Sequence, residues 1–553
     1  MPRTELMQRV QRMFRLARKA NQPGAPPVDE LLAIEREQSL SRRNFLKSGA
    51  LMLGAGGLVT GCGGTTPLFT RTAPPPDNLQ PSIAIVGAGI AGMNAAWQLA
   101  KAGFRADIYE AGNRVGGRMF TVSDVFGPGI ATELGGEFID SGHEEMLRLA
   151  GEFDLPLLDI LSPSEASLTQ TWFFGGVNLT DAEVVALFQP LEAQITADQN
   201  SLPDEIDFQT QDAAAIALDN LSLAQYLDQI GAQGTIRTIL DVAYETEYGL
   251  DPSLQSALNF VAFIDPDTSG GVLNIFGDSD QRFKIIGGNQ QLPQAIAARL
   301  ASSSPVNLGF RLIALREVAD GFVMTFDSPG GTVDINANFV ILTVPFSVLR
   351  GVSLNVTLPP AVAAGIANLA YGTNSKLILG FLTRYWRQLG FTGLFFTDLA
   401  FQSGWDSSQL QPGNGGSLTL FLGGPPGVEV EAGSPEGQAA GFLPGVQQMY
   451  PGANNEFTGV VRRFVWSSFP LNQGSYSCFG PGQWTTLLGA ENAPDGNLFF
   501  AGEHTSVSYS GYMEGGAESG RRAAEELLAR LGVNVAPRLE RHRLKLRRQR
   551  QKV

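Results

Sequence analysis

Three glycines, Gly87, Gly89 and Gly92, follow the apolar run Ile83-Ala84-Ile85-Val86 at the spacing G-x-G-x-x-G. Strong helix formers from Ala95 to Ala102 come next and stop at Gly103. A short β-branched run of this kind reads as a buried parallel strand, so the glycines sit where a strand turns into a helix. Each glycine has a use there: a tight turn, close approach of the backbone to a pyrophosphate, and close packing of helix on strand. The free N–H groups and positive end of the helix dipole then face the phosphates. A second strand, Ala106 to Tyr109, ends at Glu110, whose carboxylate can accept hydrogen bonds from ribose hydroxyls. The chemistry is therefore the binding of a dinucleotide. Just downstream, Arg114-Val115-Gly116-Gly117-Arg118 places two arginines around glycines that let the backbone come close to an anion.

This extension resembles the second dinucleotide motif of the flavin-dependent amine oxidases, the monoamine oxidase and L-amino acid oxidase group, which bind FAD rather than NAD. The resemblance covers about residues 80–535 and brings further residues with it. Gly496 to Thr505 is an apolar strand running into a polar turn that holds Gly502 and Glu503, and Gly511-Tyr512-Met513-Glu514 leads into a helix from Glu514 to Leu531. The N–H groups near Met513 suit an electron-rich group, which in the family is the flavin edge that gains negative charge on reduction. Glu503 resembles the residue that meets the ribityl or pyrophosphate part of FAD. Gly87, Gly89, Gly92, Glu110, Gly117, Arg118, Leu312, Trp466, Gly502, Glu503 and Met513 form the cofactor-binding set that the resemblance implies.

Oxidation of an amine by a flavin needs no acid–base triad, because the substrate α-carbon gives hydride to flavin N5 from a neutral amine. The protein has to bind, orient and desolvate that amine. Aromatic faces do this, and Tyr476 and Tyr512 match the family's pair of cage tyrosines. Lys376, in Gly372-Thr373-Asn374-Ser375-Lys376, resembles the lysine that holds a water against N5 and assists reoxidation by O₂. The catalytic set implied is thus Lys376, Tyr476 and Tyr512. Ser475 stands where the monoamine oxidases carry the cysteine that bonds FAD, so non-covalent FAD is expected. At the position where many L-amino acid oxidases place an arginine for the substrate carboxylate, this chain has Phe138.

Other chemistries are poorly served. Two cysteines, Cys62 and Cys478, and three histidines are scattered through 553 residues, which gives neither zinc-type spacing nor a disulfide framework. The formal net charge is −15, although residues 1–61 carry ten Lys/Arg against five Asp/Glu and residues 538–553 eight against one. The body between is more acidic than the whole, which disfavours nucleic acid as a partner.

Stepping outward along the chain, residues 1–62 read as an export signal. Ser41-Arg42-Arg43-Asn44-Phe45-Leu46-Lys47 precedes a Gly-rich apolar run to Gly61, too short for a span of about 20 residues. It matches the bacterial twin-arginine signal, and Val59-Thr60-Gly61-Cys62 resembles a lipobox, implying the periplasm or cell surface and a lipid anchor at Cys62. Residues 63–80 form a linker rich in Pro, Thr and Gly. The expected fold is α/β, a discontinuous Rossmann-like FAD-binding domain (81–145, 281–355 and 461–535) with an inserted α+β substrate domain (146–280 and 356–460). A basic tail, 536–553, follows. Within this frame Glu133 to Asp140 is expected as the family's Gly-Gly strand, 145–280 as helix-like, Pro293 to Leu300 as a helix, and Asn307 to Val318 and Gly321 to Phe326 as strands. Phe339 to Val344 is expected as the final parallel strand.

The reading is an FAD-dependent oxidase of a primary or secondary amine, with O₂ reduced to H₂O₂ and the imine hydrolysed to a carbonyl. An L-amino acid oxidase has the same flavin chemistry. A dehydrogenase that passes electrons to a quinone, and an exported FAD-binding protein without oxidase activity, are the remaining readings.

Overall fold

Five short parallel strands organise the cofactor-binding half of the chain, in the spatial order Val306–Leu308, Asp107–Glu110, Ile83–Val86, Phe339–Leu342 and Leu498–Phe500. The computed structural model describes residues 69–70, 80–165, 167–203, 206–263, 280–490 and 492–535. Arg42, Arg43, Cys62, most of the linker and the basic tail lie outside the described residues.

The central strands Ile83–Val86 and Phe339–Leu342 are buried throughout, as uninterrupted apolar runs require of a sheet covered on both faces. Alternate side chains divide between two layers. Ile83, Ile85 and Ile341 pack with Met93, Leu99, Leu292, Ile296 and Leu527, from the helices Ile90–Lys101, Gln291–Leu300 and Met513–Arg530. Ala84, Val86, Val340 and Leu342 face the other way, toward Leu312, Leu315, Met324 and Phe326. Those four belong to a four-stranded sheet in the order Gly331–Ala337, Gly321–Ser328, Arg311–Val318 and Ser353–Asn355. A Cβ on Gly520 would lie 2.1 Å from the Ala91 carbonyl oxygen, so the helices Ile90–Lys101 and Met513–Arg530 touch backbone to backbone there.

Several sequence expectations are corrected. The run from Asn307 to Val318 is not one strand: Val306–Leu308 closes the parallel sheet, and the chain turns at Gly309 (φ +78°) before Arg311–Val318 joins the four-stranded sheet. The Phe310 N–H donates to the Glu110 carbonyl at this junction. Phe339–Leu342 is not the last parallel strand, since Leu498–Phe500 pairs on its outer side. Of the stretch from Glu133 to Asp140 only Glu133 lies in a strand, Ala131–Glu133. The Glu133 and Gly135 carbonyls accept from a lysine side chain, and Ile139 makes an isolated antiparallel bridge to Phe283.

A mixed seven-stranded sheet forms the other half, in the order Phe457–Val465, Ser375–Phe381, Gly416–Leu422, Ser403–Asp406, Phe391–Thr397, Thr169–Phe174 and Val177–Leu179. Residues 145–280 are therefore not only helical. Thr169–Phe174 pairs in parallel with Phe391–Thr397, uniting the two expected substrate segments. Phe457–Val465 runs past the expected boundary at 460, because its register with Ser375–Phe381 extends to Ser375↔Val465. The long helices Asp181–Ser201, Gly234–Tyr248 and Pro435–Met449 belong to this half.

Candidate functional site

The carboxyl ends of the parallel strands and the inner face of the seven-stranded sheet enclose a cavity of 660 Å³. That is within the range of about 300–1,000 Å³ usual for ligand and cofactor sites. Gly87, Gly89, Glu110, Gly117, Arg118, Leu312, Lys376, Trp466, Tyr476, Gly502, Glu503, Tyr512 and Met513 all line it. Gly92 stands behind the wall.

At one end the glycine turn is built as its spacing implies. Gly87 has φ +109°, and a Cβ on Gly92 would lie 2.0 Å from the Gly87 carbonyl oxygen. Both positions exclude any larger residue. Gly89 meets Gly116 in an isolated bridge, and a Cβ at Gly89 would have only the Gly117 Cα near it, at 3.9 Å. Backbone is thus bared on both sides of a groove at the start of the helix Ile90–Lys101, a shape that fits a pyrophosphate. Glu110 holds the turn as well as facing the cavity: its Oε2 accepts from Ala88 N at 2.8 Å and its Oε1 from Gly112 N at 2.7 Å. Arg114 is pinned to the Gly117 and Met119 carbonyls and lies over the Phe120 ring. It organises the loop, leaving Arg118 as the more central of the two arginines.

Arg118 donates to Glu503 Oε1 at 2.7 Å and to the Ser475 carbonyl at 2.8 Å. Glu503 also accepts from the Ser477 N–H and hydroxyl and from Gly511 N. Burial alone would raise this carboxyl, but the Arg118 charge, His504 and the hydrogen bonds from Arg118 and Ser477 hold it at about 2. Glu503 therefore acts on the cavity by joining three of its wall segments, around residues 118, 475–477 and 511. The 475–477 turn carries Tyr476, whose hydroxyl donates to the Glu247 carbonyl at 2.7 Å. Gly511 precedes Tyr512, which contacts the buried His143 edge-on at 5.2 Å. Burial depresses His143 to about 3, so that ring is neutral.

Ser475 is buried and donates to Asn374 Oδ1 at 2.7 Å. Cys478 is fully buried and does not line the cavity. Trp466 packs at the Gly135 backbone, with its Nε1 on the Leu134 carbonyl. Met513, the first residue of the helix Met513–Arg530, abuts Gly136, so the helix N-terminus opens toward the Gly135-Gly136 segment. Leu312 reaches the cavity at a bulge in its strand.

Lys376 lies on a wholly buried strand, Ser375–Phe381. Its Nζ donates to the carbonyls of Glu133 and Gly135, each at 2.9 Å, and to Glu137 Oε2 at 2.8 Å. Glu137 Oε1 accepts from a second buried lysine, Lys284, at 2.8 Å. Sequence reading passed over Glu137 and Lys284. Lys284 had a usable signal, as a lysine inside the apolar stretch Phe283-Lys284-Ile285-Ile286. Nearby, Glu133 accepts from Asn289 N and Thr121, and burial pushes its carboxyl up to about 7.

The walls supplied by the seven-stranded sheet are largely apolar: Leu394, Phe396, Trp405 and Phe421. Phe138 joins them edge-to-face with Trp405 at 5.5 Å. The lining cations among the described residues are Arg114, Arg118, Arg311 and Lys376, and each is engaged, Arg311 by Asp327. An aromatic end with no free cation, joined to a dinucleotide end, can hold an uncharged or cationic small molecule against the ring of a bound dinucleotide.

Comparison with known proteins agrees with this geometry. The pattern of the family described as flavin containing amine oxidoreductase matches residues 90–528. A flavin-containing amine oxidase of Oncorhynchus mykiss is 23% identical over 81% of this chain and 86% of its own length. An L-amino acid dehydrogenase of Synechocystis is also 23% identical, over 81% and 94% respectively. The solved structure of cyclohexylamine oxidase from Brevibacterium oxydans superposes with a TM-score of 0.69 at 22% identity, covering 82% of this chain and all of that one.

Proposed function

From the premise that the chain belongs to the family of flavin containing amine oxidoreductases, and so is a flavin-dependent oxidoreductase, we propose that it is an FAD-dependent oxidase of small primary or secondary amines. When bound, FAD would supply the acceptor for a hydride, that is for two electrons and a proton, and pass the two electrons on to O₂. The substrate loses a C–H hydride and an N–H proton to become an imine, O₂ takes two electrons and two protons as H₂O₂, and water converts the imine to a carbonyl and ammonia or amine.

This chain's own residues divide the work. The Gly87–Gly92 turn and the helix Ile90–Lys101 receive the pyrophosphate, Glu110 the ribose, and the start of the helix Met513–Arg530 the electron-rich edge of the ring. Tyr476 and Tyr512 hold the neutral amine between apolar faces and keep water from it. Ser475 takes the place of a bonding cysteine, which supports non-covalent FAD.

One observation favours amines over amino acids. A buried carboxylate needs a paired cation, best an arginine, and among the described residues every cation lining the cavity already has a partner. The segment 264–279, outside the described residues, contains neither lysine nor arginine. The test is H₂O₂ release from paired substrates, such as phenethylamine and phenylalanine, with kcat/KM expected higher for each amine. A tenfold advantage for the amino acids, about 1.4 kcal/mol in transition-state binding, overturns the choice. Reduction of the flavin by amine without H₂O₂ release in air identifies a dehydrogenase instead.

Export is part of the same proposal. Arg42 and Arg43 direct the folded, FAD-loaded chain through the twin-arginine route, and Cys62 anchors it by a lipid. Retention in the cytoplasm after replacing both arginines by lysine supports the route, and unchanged export refutes it.

A further inference from the structure

An ammonium group has three N–H donors and no acceptor. Lys376 has all three taken by protein: the Glu133 carbonyl, the Gly135 carbonyl and Glu137 Oε2, at 2.8–2.9 Å. These three acceptors fix the ammonium at the cavity wall. Glu137, in turn, is shared. Its second oxygen accepts from Lys284, which also donates to the Ser407 carbonyl at 3.1 Å. All three side chains are at most 7% exposed. One carboxylate between two ammonium groups carries a net charge of +1, and the array lies under the Gly135-Gly136 segment of the cavity wall. Lys376 reaches the wall, whereas Lys284 stands behind Glu137 and does not.

We propose that Glu137 and Lys284 are positioning residues: Glu137 locks Lys376 in place as a fixed charge, and Lys284 keeps the buried array at net +1 facing the flavin. The inference rests on the FAD reading above. Reoxidation puts negative charge on O₂ as it takes up electrons, and a fixed, desolvated positive charge lowers that barrier without any hydrogen bond of its own. The same charge favours an anionic reduced ring. Lys284 then matters although it touches neither cofactor nor substrate. Removing it leaves Glu137 and Lys376 to cancel. Removing the Glu137 charge as well restores +1.

Charge bookkeeping and packing therefore give opposite expectations for a double variant. The experiment compares wild type, Lys284→Met, Lys284→Arg and the pair Glu137→Gln/Lys284→Met, each loaded with FAD. It is run at pH 6, where Glu133, raised by burial to about 7, keeps its proton. The midpoint potential of the bound flavin and its rate of reoxidation by O₂ are read for each. Lys284→Met is expected to lower the potential and slow reoxidation about threefold to tenfold, and Lys284→Arg to resemble wild type. The double variant is expected to recover both quantities to within about twofold. Wild-type values in Lys284→Met, or a double variant worse than the single one in both readouts, overturn the proposal. Should the methionine variant not fold, Lys284→Gln makes the same charge change and decides in the same way. Failure of the wild-type protein to bind FAD at all would instead overturn the proposed function.

Discussion

Replacing Glu503 by glutamine should loosen FAD far more than one lost hydrogen bond would. The carboxylate is held at about 2 against an ordinary 4.5. At about 1.36 kcal/mol per unit, the folded protein favours the ionised form by roughly 3 kcal/mol. Because the folded pKa is the lower one, this stabilisation is complete above about pH 4.5 and is lost as the pH falls toward 2. Glutamine keeps the shape but presents one acceptor oxygen to four donors, from Arg118, Ser477 twice and Gly511. Breaking a buried pair from one side costs about 3–5 kcal/mol. Arg118, with 23% of its side chain exposed, recovers some solvation and brings the loss to the lower end. All three segments that Glu503 joins line the cavity, so much of the loss falls on cofactor binding, about a hundredfold in Kd at 1.4 kcal/mol per factor of ten. Titration of the apoprotein with FAD, followed by quenching of flavin fluorescence, measures it directly. If Glu503→Gln binds FAD within about threefold of wild type and melts at the same temperature, the reasoning fails.

Tyr476→Phe keeps the ring and loses the hydroxyl bond to the Glu247 carbonyl, so kcat/KM should fall less than about tenfold; Tyr476→Ala should cost at least ten times more than that, and equal losses would deny the ring its part. Glu133, raised to about 7, makes the folded state hold its proton longer than the unfolded one. Its stability contribution is full below about pH 4.5 and declines as pH rises through 7, so Glu133→Gln should flatten the pH dependence of the melting temperature across that window. Acid precipitation should leave all yellow colour in the supernatant, whereas flavin retained on the protein would contradict non-covalent binding at Ser475.

How far the sequence alone reaches follows from the range of the forces involved. The glycine turn was legible because its physics is local. Strand, turn and helix lie within residues 83–101, and the Gly87–Gly92 contact is set by backbone geometry over a few residues. The same holds for the turn into Met513–Arg530. That Tyr476, Tyr512 and Lys376 line the cavity could be expected only through motifs shared with a family, since nothing local tells a cavity tyrosine from a core one. Partnerships across the fold could not be read at all. Arg118 and Glu503 are 385 residues apart and Lys376 and Glu137 239, and which charge meets which depends on how the strands Ser375–Phe381 and Ala131–Glu133 come together. The division of Asn307–Val318 between two sheets was hidden for a related reason: both halves look like strand, and only the packed layers determine which neighbour each one has. The sequence by itself determined a dinucleotide turn and the kind of chemistry it serves. Tertiary structure decided which buried charges share that cavity, because pairing buried ions is a matter of ångströms between segments that the chain keeps hundreds of residues apart.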